Sequence, residues 1–583
     1  MHRQGRLTEA QQLCQEILTE HPRNFDALHL SGVVAFQAGN PRLAAELIGR
    51  AITVDASRAL AHSNLGKVLI QLRQLGEAVA SFDRAIAISP DDAEAHYNRG
   101  LALHGLGRNE AALASYDRAV EIRPGLAEGW NNRSVVLGDL RRLEESLASC
   151  NHALHLRPDY AEAHCNRGLA LKNLGRLDEA LASYDHALAA RSNFAEAWSN
   201  RGNVLKELGR LDEALSSYDG AIASNPAFAE AWNHRAVALH DLKRLDEAIT
   251  SYERAVSIAP DRADAHWNLA ICRLLSGDFA RGWPGFEWRW KTAWLEKARR
   301  DFAQPLWLGT PSIEGRTILL HSEQGFGDTL QFCRYAGLVR AKGARVILEV
   351  PRALTDVIAT LDGVTQVIGR GSALPHFDFH CPLLSLPLAF GTDIDSIPAR
   401  IPYLHGDSRR AAKWEGTLGE RNRPRVGLVW SGSLTHKNDR NRSIPLAKLL
   451  TLVSEGMQWV SLQKELREGD APLLSSRADV LHFGGDLEDF ADTAALIEQL
   501  DLVISVDTSV AHLAGAMGRR VWVILPFSPD WRWLLDRDDS PWYPTARLFR
   551  QPAPGDWDTV VASVREALSG LAGNGGTMAA SGA

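Results

Sequence analysis

A proline or small residue returns every 34 positions through the first half of this chain, and that period constrains the fold more than any other feature. Pro22, Ala56, Pro90, Pro124, Pro158, Ser192, Pro226 and Pro260 are each 34 apart. A small residue keeps phase with them at Gly32, Gly66, Gly100, Ser134, Gly168, Gly202, Ala236 and Ala270. Another does so at Ala44, Ala78, Ala112, Ser146, Ala180, Ala214 and Ala248. Phe82, Tyr116, Tyr184, Tyr218 and Tyr252 then occupy one aromatic position, with Cys150 in the same place. Small residues at fixed helical positions let two helices approach, the aromatic fills the space beside them, and the proline breaks the chain between units. The period therefore predicts an α-solenoid of helix–turn–helix units.

These positions resemble the tetratricopeptide repeat. Within the units, the sixth position reads Asn64, Asn98, Asn132, Asn166, Asn200, His234 and Asn268. Asparagine is a poor interior helix residue because its amide competes with the backbone. Six in register form a ladder of donors and acceptors along one face. Two readings stand. The ladder grips the backbone of an extended peptide, as the similar concave surface of O-linked N-acetylglucosamine transferases implies, or it ties neighbouring repeats together. Arg99, Arg133, Arg167, Arg201 and Arg235 follow the same positions and read as a solvated face or as ion pairs within repeats.

The 583 residues carry a formal charge of −7, so no general basic surface for nucleic acid is expected. The six cysteines are scattered without a C-x-x-C pair, as in a reducing compartment without a metal site. The first ten residues lack an apolar signal core, and no run approaches the ~18 apolar residues of a membrane helix. A cytoplasmic location is expected. Gly5 to Pro22 reads as the second helix of a unit whose first is missing, so either the true start lies upstream or the array opens with a half-repeat cap.

Near residue 275 the period fails. Ala263 to Leu275 still reads as a repeat helix, but its partner becomes the aromatic run Phe279 to Trp290, expected to pack the solenoid's end against the next domain. The solenoid is placed at 1–296 and a linker at 297–315. Short apolar runs then alternate with helical stretches: Thr317–His321, Ala344–Val350 and Thr365–Ile368, followed by Arg425–Trp430, Trp459–Leu462, Leu502–Val506 and Val521–Leu525. Such runs predict parallel sheets covered on both faces, here two Rossmann-like α/β domains at 316–405 and 424–568. The Gly-, Ala- and Ser-rich end, 569–583, is expected to be a disordered tail.

Each α/β half carries a motif at a strand's carboxyl end. In the first, Ile318 to Phe332 runs through Gly325, Gly327 and Asp328 into a helix. A lone G-x-G is weak, and Asp328 either caps that helix or takes a proton from an acceptor hydroxyl. In the second, Val506-Asp507-Thr508-Ser509 enters a helix whose first amides face an anion, with His512 one turn on.

Together these motifs resemble the GT-B glycosyltransferases of the ADP-heptose:lipopolysaccharide heptosyltransferase family, over about Thr317 to Leu568. The resemblance implies Asp328 as catalytic base. It implies Asp507, Thr508 and His512 as donor-binding residues, with Ser509 standing where the family has glycine. It also places Ser431 and Ser433 in a phosphate loop and Arg442, with Lys437 and Arg440, on the donor phosphates. The inferred chemistry is an inverting transfer with a nucleotide-sugar as substrate and no metal or other cofactor. Asp393/Asp395 and Asp536/Asp538 are the only acid pairs weighed for a metal, and both read as solvated loops. Three functions compete: transfer to a protein held by the repeats, transfer to a lipid-linked glycan with the repeats as a docking module, and a non-catalytic scaffold. The first matches an architecture similar to O-linked N-acetylglucosamine transferases and soluble flagellin glycosyltransferases.

Overall fold

The computed structural model describes residues 7–434 and 438–573. Sixteen helices run from Leu7–Glu20 to Ala263–Leu275, followed by a shorter one at Phe279–Phe286. The first helices of successive units begin at Ala59, Ala93, Ala127, Ala161, Ala195, Ala229 and Ala263, and so keep the 34-residue phase. The small-residue positions do what their spacing predicts. A methyl group built on Gly66, Gly100, Gly168 or Gly202 would fall 2.5–2.7 Å from Phe82, Tyr116, Tyr184 or Tyr218. Those four rings are fully buried. Where Cys150 replaces the ring, the facing residue enlarges to Ser134, which offsets part of the lost volume. A further recurrence closes the turns between units. Trp130, Trp198 and Trp232 donate their indole N–H to the carbonyl six residues earlier at 2.8–3.1 Å, and the His62, His96 and His164 rings meet the equivalent carbonyl.

The chain forms two compact units, residues up to Ala238 and residues from Leu239 onward. The last repeat helices, Leu245–Ile258 and Ala263–Leu275, keep the 34-residue phase and pack with the α/β part in the second unit. Within that second unit Phe279, Trp283 and Phe286 are buried, Trp283 donates its indole N–H to the Thr392 carbonyl at 2.8 Å, and Trp283 meets Trp531 edge-on.

Two parallel sheets follow. The first has β1 (Thr317–His321), β2 (Arg345–Val350), β3 (Gln366–Gly369) and β4 (Phe379–Pro382) in the order β3-β2-β1-β4. The second has β5 (Arg425–Val429), β6 (Gln458–Ser461), β7 (Val480–His482), β8 (Leu502–Val506), β9 (Val521–Leu525) and β10 (Ala546–Arg550), in the order β10-β9-β8-β5-β6-β7. Both are parallel throughout. The central strands β1, β5, β8 and β9 are buried at every residue, which explains their unbroken apolar runs.

Three segments differ from expectation. Residues 297–315 are not a free linker: Trp307 is fully buried and its backbone N–H donates to the His380 carbonyl of β4 at 2.8 Å. The last helix, Trp557–Gly573, runs past the expected start of the tail at 569, whose remainder lies outside the described residues. Strands β4, β7 and β10 carry His380, His482 and the arginines Arg547 and Arg550, which broke the apolar pattern used to find the others.

Candidate active site

β1 ends at His321, and the chain turns through Ser322–Gly325 into the helix Phe326–Phe332. Asp328, in the first turn, accepts the Gly325 N–H on Oδ2 at 2.9 Å, so it does cap the helix. Its Oδ1 is ion-paired with Nη2 of Arg532, 204 residues away in the other α/β half. Gly327 is where the two halves touch: a methyl group there would lie 2.8 Å from Cδ2 of His512. Only a residue without Cβ lets this loop approach the imidazole so closely.

In the second half β8 delivers Asp507 and Thr508 to the helix Ser509–Ala516. The Thr508 hydroxyl pairs with Ser505 Oγ at 3.1 Å and does not cap that helix, so its first amides have no capping side chain. Ser509 opens the helix, half-buried. His512 is buried, its Nδ1 lies 3.0 Å from the Tyr543 hydroxyl, and its ring stacks on Trp533. Burial, then the charges of Arg532, Arg334 and Arg442, hold the imidazole well below its ordinary value, so it is neutral. Its Nε2 lies 3.8 Å from Asp507 Oδ1. Burial and the neighbouring Asp530 push the Asp507 carboxyl up to about 6, against the opposing pull of Arg442 and Arg532.

β5 leads into Trp430, Ser431, Gly432 and Ser433. Ser431 is buried, and its Oγ has no hydrogen-bond partner. Ser433 is exposed, and Lys437 lies outside the described residues. Arg442 lies flat on Gly432, where a methyl group would meet its guanidinium at 2.3 Å. It donates from Nη1 to the Asp507 carbonyl at 3.1 Å, and its buried Nε has no hydrogen-bond partner and lies 3.8 Å from Asp439 Oδ1. Arg440 faces elsewhere: with Trp430, Ser443, Arg467 and Asp470 it lines a cleft of about 720 Å³.

The structure thus gathers Gly327, Asp328, Arg442, Asp507 and His512 around one point at the carboxyl ends of two sheets, the usual ligand position in open α/β folds. Arg440 is not part of that group. Sequence reasoning missed Asp530 and Arg532, although Asp530-Trp531-Arg532-Trp533 follows β9 closely and a charged run near a strand's carboxyl end is a signal of the same kind. It also missed Glu323, whose side chain is 3% exposed. Arg289 reaches Glu323 Oε1 at 3.0 Å, Oε2 has no partner, and burial pushes this carboxyl up to about 7. Asp393 binds its own turn, accepting the Ser396 N–H at 2.8 Å. Among the described residues no group of three His, Cys, Asp or Glu converges as a metal site, and no helix is long and apolar enough to cross a membrane.

In the repeats the asparagine amides reach back one unit. Asn64 Nδ2 meets His29 Nε2 at 3.0 Å, Asn132 donates to the Tyr97 hydroxyl at 3.0 Å and Asn166 to Asn131 Oδ1 at 2.9 Å. Asn200 points its amide at Cys165 Sγ at 3.8 Å, whereas Asn98 bonds the Glu94 carbonyl of its own helix. In the second unit, Asn268 is half-buried on its helix. The amide nitrogens of Asn64, Asn132, Asn166 and Asn200 therefore tie units together. The arginines beside them, expected on a solvated face or in ion pairs within repeats, pair between units: Arg99, Arg133 and Arg201 reach Asp83, Asp117 and Asp185 on the preceding unit as well as a serine of their own.

Models of the tetratricopeptide repeat match residues 2–61, 29–93, 63–127 and 199–263, and two related repeat models match 149–182 and 173–209. The helical half is a tetratricopeptide-repeat array. The chain is 27% identical over 337 residues to Protein FlbA of Caulobacter vibrioides (strain ATCC 19089 / CIP 103742 / CB 15), a match covering 54% of this chain and 56% of that protein. The match thus spans little more than half the length of that relative. Among solved structures, the tetratricopeptide repeats resemble TTC0263, a thermophilic TPR protein in Thermus thermophilus, at 30% identity and a TM-score of 0.28, over 31% of this chain and 99% of that one. They also resemble YrrB, described as a TPR protein with an unusual peptide-binding site, at 24% identity and a TM-score of 0.28, over 32% and 96%.

Proposed function

We propose that this tetratricopeptide-repeat protein is an inverting glycosyltransferase of GT-B type that moves a sugar from a nucleotide-sugar to a hydroxyl of a protein acceptor. The observation that carries the reading is the meeting of Gly327–Asp328 from one parallel sheet with Asp507, His512 and Arg442 from the other. A sugar nucleotide and an acceptor have to be held between two such halves. In the transfer, the acceptor oxygen bonds to the anomeric carbon as the bond from that carbon to the phosphate oxygen breaks. Asp328 takes the hydroxyl proton, and the nucleoside diphosphate leaves against Arg442 and the uncapped amides at Ser509. The neutral His512 imidazole, fixed by Tyr543, offers a hydrogen bond rather than a charge.

Six asparagines in register along the repeats, whose amides could meet the backbone of an extended polypeptide, support the protein acceptor. The use of the amide nitrogens inside the array favours instead a second reading, a lipid-linked glycan acceptor with the repeats as a docking module. Changing Asn132, Asn166 and Asn200 together to Ala separates them. The protein-acceptor reading expects donor hydrolysis to survive while transfer to protein falls about tenfold or more, each lost hydrogen bond contributing on the order of 1 kcal/mol. Intact-mass measurement of proteins from cells with and without the gene reads the outcome. Unchanged protein masses in both would rule out a protein acceptor.

A further inference from the structure

Arg532 holds two carboxylates in a buried cluster, and the proposed reaction uses only one of them, Asp328. Arg532 is 11% exposed and carries Asp530 on Nη1 at 2.8 Å and Asp328 on Nη2. Its Nε is buried with no hydrogen-bond partner. The guanidinium carbon lies over the Trp531 and Phe332 rings, 4.5 and 5.8 Å from their centroids. The same charge acts on Asp507 and His512, so it belongs to the donor group as much as to the acceptor loop.

Count the charges that meet there. Asp328, Asp507 and Asp530 face the guanidiniums of Arg442 and Arg532, with Asp439 Oδ1 3.8 Å from Arg442 Nε and the charge of Arg334 also acting on His512. A diphosphate entering among them needs a cation, and a buried anion without one is strongly disfavoured. One carboxylate has to yield. Asp530 is fixed to Arg532 at short range, since it also accepts the Arg532 backbone N–H at 3.0 Å. Asp328 is held by a single guanidinium nitrogen and by the Gly325 N–H, and sits on the other α/β half. It is the partner that can be exchanged.

Resting on the nucleotide-sugar reading, we propose that Arg532 changes partners during turnover: the donor's phosphate takes the guanidinium from Asp328, and the released carboxylate oxygen receives the acceptor's proton. The fork geometry of arginine suits phosphate as well as carboxylate, so the exchange swaps one charge-assisted pair for another. The donor then arms the base, and the acceptor hydroxyl is deprotonated only when a donor is in place.

The test is calorimetric titration of the full chain with inorganic pyrophosphate and with ADP, GDP and UDP. Arg532→Gln should weaken binding about tenfold or more. Asp328→Asn keeps an acceptor for the Gly325 N–H but removes the competing charge, so it should tighten binding by at least about threefold. That gain should vanish in the double variant. Should Arg532→Gln fail to fold, Asp328→Asn alone decides, because a purely structural pair gives no gain in affinity. Wild-type affinity in the Asp328→Asn protein overturns the exchange and leaves the nucleotide-sugar reading standing. Failure of the unaltered chain to bind pyrophosphate or any of the three nucleotides overturns both.

Discussion

Arg133 and Arg532 do the same chemistry at very different range. Arg133, in the repeats, bonds Asp117 and Ser149, each 16 residues away, and its counterparts Arg99 and Arg201 repeat the geometry. Arg532 bonds Asp328 across 204 residues and has no counterpart. A repeat meets only its neighbours, so these arginines find their partners on the adjoining helices, although other buried atoms of the array, among them Tyr116 Oη, Tyr184 Oη and Asn233 Oδ1, have no hydrogen-bond partner. In the α/β unit the buried atoms without hydrogen-bond partners include Glu323 Oε2, Ser431 Oγ and the Nε atoms of Arg442 and Arg532, and these come from segments that meet at one site. Unsatisfied buried groups are costly in a fold and are tolerated where something else must bind. One region spends its polar residues on regularity, the other on a site.

The contrast breaks most visibly at Asp328. Asp328→Asn keeps an acceptor for the Gly325 N–H but removes the charge paired with buried Arg532, so the melt should fall while the protein stays folded, and the proposed transfer should fall about 100-fold or more, the usual scale for losing a general base. Rates close to wild type would return Asp328 to a purely local role like that of the repeat residues.

Glu323 tests whether the α/β unit's burial is as severe as its geometry. Its proton is held more tightly in the folded protein than in the unfolded chain, so its stabilising contribution is full below about pH 4.5 and is lost as pH rises to about 7. Glu323→Gln cannot ionise. Between those pH values the variant should gain on the wild type by about 3 kcal/mol, measured by denaturant unfolding across pH. A pH-independent difference would mean that Arg289 fully compensates the buried charge.

In the repeats the corresponding weak point is steric. Gly202→Val drives methyl groups into the Tyr218 ring, whose hydroxyl is held by Asn203 at 2.9 Å. The expected cost is ~1–3 kcal/mol from overpacking, seen as a lowered thermal midpoint. At the other extreme, Arg210→Gln removes an exposed pair with Glu213, one of several such turns, and should leave the melt unchanged within error. A measurable loss there would show that the exposed arginines act as a network.

The legibility of the chain follows the same division. β1, β8 and β9 match the apolar runs residue for residue, because strands buried on both faces must be apolar throughout. β4 and β10 escaped notice because edge strands tolerate His380 or Arg547 and Arg550. Asp328 and Asp507 were visible because strand, loop and helix are contiguous in sequence. Asp530 and Arg532 were not, since nothing within their own segment says that the partner is Asp328. The asparagines were visible as a ladder, but the direction of their amides was not: a register gives position, and only the neighbouring unit decides which atom is already bonded.

The sequence by itself determined the 34-residue helical units, the small-against-aromatic contacts that set their spacing, and the parallel strands of the α/β part. Each is a contact between residues at a fixed, short separation, and a period or a run records it directly. Tertiary structure alone decided that the segment around Trp307 joins the first sheet, that Gly327 rests on His512, and that Asp328 is paired with Arg532. Those contacts join segments tens to hundreds of residues apart. Their geometry depends on how two sheets pack, and no local pattern encodes it.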